Sequence, residues 1–272
     1  MATALVCACI WTTAAGAAQP SSLPFASSEA STSDRARQDA IRGIPLEKLA
    51  EADRAKVRAV LTNISIFRRL PTKVIDCDPN MYLFVLQHPD VVVNTWEVLK
   101  ASRLQLRQTG DGQFSIAEQS GAAGDVSFVY RSPDTHVVYV DGVYDGPLLA
   151  RPIQGRGVLV LKTAYVRQTN HRCYIASRLD LFLNVAPAGA ELLTKTIAPL
   201  IGQTADSNFL LTAGFVASLS RTAEVNPGKV QMLATKLHRV SPKVRSDFSE
   251  LAGRLGQKTS MAARPETASE RR

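Results

Sequence analysis

Chemistry-bearing residues are scarce in this chain: 272 residues contain four histidines, four cysteines and two tryptophans, and aromatics make up 6%. His88, His136, His171 and His238 are dispersed, and no two of them show the spacing of metal ligands. There is no Cys-x-x-Cys, no Gly-x-Ser-x-Gly and no His-Glu-x-x-His. Those absences remove the sequence signals of a structural zinc site, a nucleophile elbow and a zinc protease. Gly155-Arg156-Gly157 precedes a strand pattern and does not open a helix, so it lacks the context of a phosphate-binding loop. Asp141-Gly142 and Asp145-Gly146 suggest calcium at first sight, but the closing Glu of an EF-hand loop is missing and turn chemistry accounts for both pairs. We therefore assign no catalytic residue, no metal ligand and no cofactor.

What the chain does have is an ordinary globular balance, with 45% hydrophobic and 21% charged residues. That suffices for one main domain with a sizeable core and appendages. The net charge of +8 is uneven. Residues 225–272 hold ten Lys or Arg against four Asp or Glu, so six of the eight net charges are C-terminal.

Taken in order, residues 1–18 read as a signal peptide, because Ala2 to Ala18 is apolar, uncharged and ends in small residues. Export to the periplasm or medium is the expectation, although no Lys or Arg precedes the apolar run. Cys77 and Cys173 lie in strand-like sequence, where a bridge and two free thiols are both open. Residues 19–43, rich in Ser, Ala and Pro, read as a disordered linker. The domain is expected over 44–224, opening with a helix whose apolar stripe is Leu46, Leu49, Ala50, Val57, Val60 and Leu61. Arg68 to Asp76 reads as extended, with Pro71 placing it at a sheet edge. Asp78-Pro79 and His88-Pro89 then start two short helices, over 80–87 and 90–100, with Asp78 as a cap and Asp90 as first-turn charge.

From Ser102 to Val185 the grammar is that of strands. Leu104/Leu106, Phe114/Ile116, Val126/Phe128/Tyr130, Val137/Tyr139, Val158/Val160 and Ile175 to Leu183 alternate with polar residues between turn signals. Six strands joined by short connections predict an antiparallel meander. A long helical pattern follows, with Leu193, Ile197, Leu200, Ile201, Phe209, Phe215, Val216 and Leu219 on one face and a break expected near Pro199 to Gly202. Asn226-Pro227 and Ser241-Pro242 open two basic helices over 225–256, and 257–272 reads as a disordered tail.

The order of strand, two short helices, six antiparallel strands and a long closing helix, over about Arg68 to Glu224, resembles the helix-grip or START-like (SRPBCC) superfamily. The chain as a whole, through Ile75-Asp76-Cys77-Asp78-Pro79, His88-Pro89-Asp90-Val91-Val92-Val93-Asn94-Thr95-Trp96-Glu97 and Leu219-Ser220-Arg221-Thr222-Ala223-Glu224, resembles an uncharacterised family of exported bacterial proteins. The first resemblance implies an α+β fold in which a curved antiparallel sheet of about seven strands grips the long helix over an apolar cavity. It also implies non-enzymatic binding of a lipid or other hydrophobic molecule, with a hydrolase or cyclase on the same scaffold, or a side-chain-filled interaction protein, as alternatives.

Candidate ligand-binding residues follow from that expectation. Trp96 is a cavity wall or a core aromatic, and Phe209 and Phe215 lie on the apolar face of the closing helix. Arg178 and Asp180 share one strand face. Directed into a cavity they would fix a polar head, and directed to water they are a surface pair; the leucine face opposite them favours water. Tyr139, with His88, completes the set of polar candidates for an enzyme. The basic C-terminus reads first as a solubilising tail and second as a contact for anionic membrane or envelope polymers, and nucleic acid is not expected of an exported chain whose tail lacks interleaved aromatics.

Overall fold

The computed structural model describes residues 29–119, 121–145, 152–169, 172–185 and 198–262. Its first element lies inside the expected linker: α1 spans Asp34–Arg42, capped by the Ser33 side chain accepting from the Ala36 N–H. The expectation of disorder there was wrong from residue 34 onward. Ala36 and Ala40 bury one side of α1 against the sheet, which an isolated helix of nine residues needs. A 3₁₀ turn, Leu46–Lys48, and α2, Glu51–Thr62, complete an N-terminal layer.

The sheet comprises β1 Ile66–Arg69, β2 Lys73–Asp76, β3 Gln105–Gly110, β4 Gln113–Ala117, β5 Ala122–Arg131, β6 Thr135–Tyr144, β7 Ile153–Arg167 and β8 Cys173–Val185. The expected single segment 68–76 is two strands broken around Pro71, and both pair with β8 at the edge of the sheet. The order is β1-β8-β7-β6-β5-β4-β3, antiparallel throughout, with β2 also on β8. Helices α3, Pro79–Gln87, and α4, Pro89–Val98, lie between β2 and β3 in sequence, and the Asp78 side chain caps α3 as expected. The long helix α5, Ala198–Val225, follows the last strand. This is the α+β helix-grip arrangement, a curved sheet with a long C-terminal helix.

Parity along the strands sorts side chains to two faces. On one, Val137, Tyr139, Val158, Val160 and Phe182 pack beneath α1 and α2. On the other, Ile75 and Ile175 pack with α3, α4 and α5 through Met81, Val85, Val91, Val216 and Leu219.

The C-terminal helices α6, Pro227–Lys236, and α7, Pro242–Ala262, join this second core. Phe248 of α7 stacks on Phe84 of α3 at 5.5 Å, and Lys258 Nζ donates to Asp78 at 2.8 Å. Val230, Ala234, Phe248, Leu251 and Leu255 are thus buried within the domain. Helix α7 also runs past residue 257, where a disordered tail was expected, because Leu251, Ala252 and Leu255 anchor it. Leu193, Ile197, the start of the tail beyond 262 and the whole signal segment lie outside the described residues.

Candidate functional site

On the α5 side, β7 presents Leu159, Leu161, Thr163 and Tyr165, β8 presents Ile175, Ser177, Leu179, Leu181 and Leu183, and β6 presents His136, Val138 and Val140. The cross-strand pairs Val138↔Leu159↔Leu181 and His136↔Leu161↔Leu179 make continuous rows. Phe128, opposite Val138, and Val126, opposite Val140, extend them onto β5.

These rows differ from those behind them. Val158, Val160 and Phe182, under α1 and α2, are completely buried. Their immediate neighbours Leu159, Leu161, Leu179, Leu181, Leu183 and Val138 are only half-buried, although α5 is tied to that face through Arg68 and Asp206. The sheet therefore meets the N-terminal layer in full contact and leaves the apolar rows of the opposite face, here called the trough, partly exposed.

One end of the trough is closed. Tyr82 of α3 reaches down to the sheet, its hydroxyl 3.0 Å from Thr163 Oγ1 and 2.7 Å from Ser177 Oγ, and meets the Tyr165 ring edge-on. His136 lies beside this end, nearly fully buried and edge-on to Phe128. Burial, helped by the Arg131 charge, holds its imidazole below the ordinary pKa of 6.5. Its Nδ1 has no hydrogen-bond partner among the described residues.

The other end is lined by glycine on three adjacent strands. Gly124, Gly142 and Gly155 stand opposite one another across β5, β6 and β7. The first two approach so closely that a Cβ on Gly124 would lie 2.5 Å from the Asp141 carbonyl oxygen and 2.7 Å from Gly142 Cα. Glycine in a strand interior marks such a close approach. Along the β1 edge Arg68, beside Leu181, makes a bidentate ion pair with Asp206 of α5 and ties the helix to the sheet.

The candidate residues are scattered by this arrangement. Trp96 on α4 meets Phe215 of α5 edge-on at 5.7 Å, and Phe209 is half-buried on α5. Tyr139 is on the wrong face, in the core under α2 with Lys56 over its ring. Arg178 and Asp180 are also on that face, and neither reading of them holds: Asp180 is 1% exposed, and the pair lines no cavity on the α5 side. Asp180 accepts from Arg69 Nε at 2.6 Å and Nη2 at 3.1 Å, with Arg178 Nε at 3.7 Å. Asp39 of α1 accepts from Arg69 Nη2 at 2.9 Å and lies 3.6 Å from Arg178.

The physical reason is the N-terminal layer, which covers a sheet face that the strand pattern marks as polar. Burial pushes the Asp39 carboxyl up, but the hydrogen bond and charge of Arg69, with Arg178 and Arg42, outweigh it and hold it below its usual range. Burial and the like charge of Arg69 push the Arg178 guanidinium down. The polar set Arg178, Asp180, Tyr139 and His88 thus does not converge in the trough.

The leucine rows were legible in one respect: Val158-Leu159-Val160-Leu161 is a continuous apolar run, the mark of a strand covered on both faces. Nothing local in the sequence marked His136 as part of the floor. Among the described residues no cluster of His, Cys, Asp and Glu could hold a metal ion. Cys77 and Cys173 are free, and burial pushes the Cys77 thiol up to about 12.

No family model and no curated protein matches this chain. Among solved structures, truncated norcoclaurine synthase from Thalictrum flavum is 14% identical at a TM-score of 0.34, over 56% of this chain and 92% of that one. Ara h 8.0201 is 12% identical at 0.36, over 56% and 99%. The di-domain ARO/CYC BexL of the BE-7585A biosynthetic pathway is 18% identical at 0.34, over 69% and 59%. At such scores the fold rests on the strand order and helix placement themselves.

Proposed function

We propose that the protein binds a small hydrophobic molecule, without chemistry on it, in the trough between the sheet and α5. The observation that carries this is the contrast within single strands: Val158 and Val160 are fully buried while Leu159 and Leu161 between and beside them are not. Apolar side chains left partly in water beneath a covering helix are stabilised by a ligand that removes them from it, at about 25 cal/mol per Å². The closed end at Tyr82 supplies a stop. Export belongs to the same proposal, supported by the apolar, uncharged stretch Ala2 to Ala18, and so does an envelope contact through the basic C-terminus.

The test is titration with the neutral dye N-phenyl-1-naphthylamine, followed by its fluorescence. Leu159→Asp and Leu181→Asp, facing each other across β7 and β8, are expected to weaken binding about tenfold, roughly the loss of one apolar side-chain contact. Unchanged dye binding in both variants, with unchanged melting, refutes the reading.

A further inference from the structure

A second apolar hollow lies outside the trough, between α4, α5 and α6. It is an open groove of about 400 Å³. Its walls are Val98 and Leu99 at the end of α4, Phe215 on α5, and Met232 and Leu233 on α6. Leu99 and Met232 are 60% and 59% exposed, an unusual state for two large apolar side chains facing one groove. Phe215 is braced by the edge-on contact with Trp96.

Two cations flank this apolar surface. Lys229 and Lys236 line the groove, both exposed, and neither makes an ion pair among the described residues. Seven residues apart on α6, they lie on one helix face about 10 Å apart along the axis. Four other basic residues of the C-terminal segment are engaged: Arg239 with Glu97, Lys243 with Asp247, Arg254 with Glu250 and Lys258 with Asp78.

We propose that this groove is a binding site for a single-chain anionic amphiphile, a fatty carboxylate whose chain lies against Leu99, Phe215 and Met232 and whose head group meets Lys229 or Lys236. Charge complementarity selects an anion, because a neutral chain would leave both lysines without a role and a cationic one would be repelled. Size selects a chain over a folded partner, since stable protein interfaces bury about 1,200–2,000 Å² in total. The site is separate from the trough, for none of the residues that line it belongs to the leucine rows.

Dodecanoate below its micelle concentration is the probe, titrated calorimetrically into the full chain. The wild type is expected to bind it saturably and to bind dodecyltrimethylammonium more weakly. Lys229→Glu combined with Lys236→Glu, and separately Met232→Asp, are each expected to weaken dodecanoate about tenfold, while N-phenyl-1-naphthylamine still binds in the trough. All three substituted side chains are exposed, so unchanged melting verifies the fold. Dodecanoate binding that is absent, that survives both variants, or that is lost in Leu181→Asp instead overturns the proposal. So does cosedimentation with phosphatidylglycerol vesicles by a protein that takes up no free dodecanoate, which would make the groove a membrane contact.

Discussion

Removing the Asp180 carboxylate should be among the most damaging single changes available in this protein. Asp180 sits at the centre of a charge cluster with Arg69, Arg178 and Asp39, beneath α1. Asp180→Ala leaves two guanidiniums close together, with only the half-exposed Asp39 to balance them. Breaking a buried ion pair from one side costs about 3–5 kcal/mol, because the surviving charge stays desolvated. Against a total stability of about 5–15 kcal/mol, that is a large fraction. For a domain of this size it lowers Tm by roughly 6–20 °C, at about 2–4 °C per kcal/mol.

Urea denaturation followed by circular dichroism, alongside calorimetry, measures the loss. Asp39→Ala should cost no more than about 1 kcal/mol, since that carboxylate is half in water and its pair is screened. Replacing Arg69, Arg178 and Asp180 together by Met, Met and Leu should recover most of the Asp180→Ala loss, since an apolar substitute for a buried ion cluster is often neutral or better. An Asp180→Ala loss below about 1 kcal/mol would refute the reasoning, for it would mean that water reaches the arginines and the N-terminal layer does not seal that face.

Two further perturbations test the trough's ends. Burial holds His136 neutral and below its ordinary pKa of 6.5, so below that pH the unfolded chain binds a proton that the folded one refuses. Stability should therefore fall as pH drops from about 6.5, with His136 contributing a slope of at most about 1.4 kcal/mol per pH unit. His136→Gln should flatten the curve by that amount; identical pH curves for the two proteins would show that the imidazole is free to charge. Gly124→Ala should cost about 1–3 kcal/mol because backbone must move to admit the methyl group. Gly155→Ala, whose nearest neighbour would be 3.7 Å away, should be tolerated, and equal melting temperatures for the two variants would count against the close approach of β5 and β6.

Much of the architecture was written locally. Asp78-Pro79 and His88-Pro89 start α3 and α4 because a proline ring suits the first turn of a helix, whatever surrounds it. The strands from β3 to β8 follow from period-2 alternation, or in β7 from a continuous apolar run, between turn signals, and their short connections leave antiparallel pairing as the simple outcome. Helix α1 was hidden because its stripe is built of Ala36 and Ala40, too small to register as apolar periodicity in a stretch rich in serine and charge.

The two faces of β8 show where sequence stops being sufficient. Alternation establishes that Leu179, Leu181 and Leu183 share one side and Arg178, Asp180 and Phe182 the other. It does not establish what covers each side. By polarity alone the leucines belong in the core and the charges in water, yet Asp180 is buried beneath α1 through Arg69 and Asp39, and the leucines border the trough. Period, caps and turns are set by neighbours along the chain, and the residues alone determined them. Which face is sealed depends on residues that meet across more than a hundred positions, such as Asp39 with Arg178 and Arg68 with Asp206. Only the tertiary structure decided that, and with it the place where a ligand is to be sought.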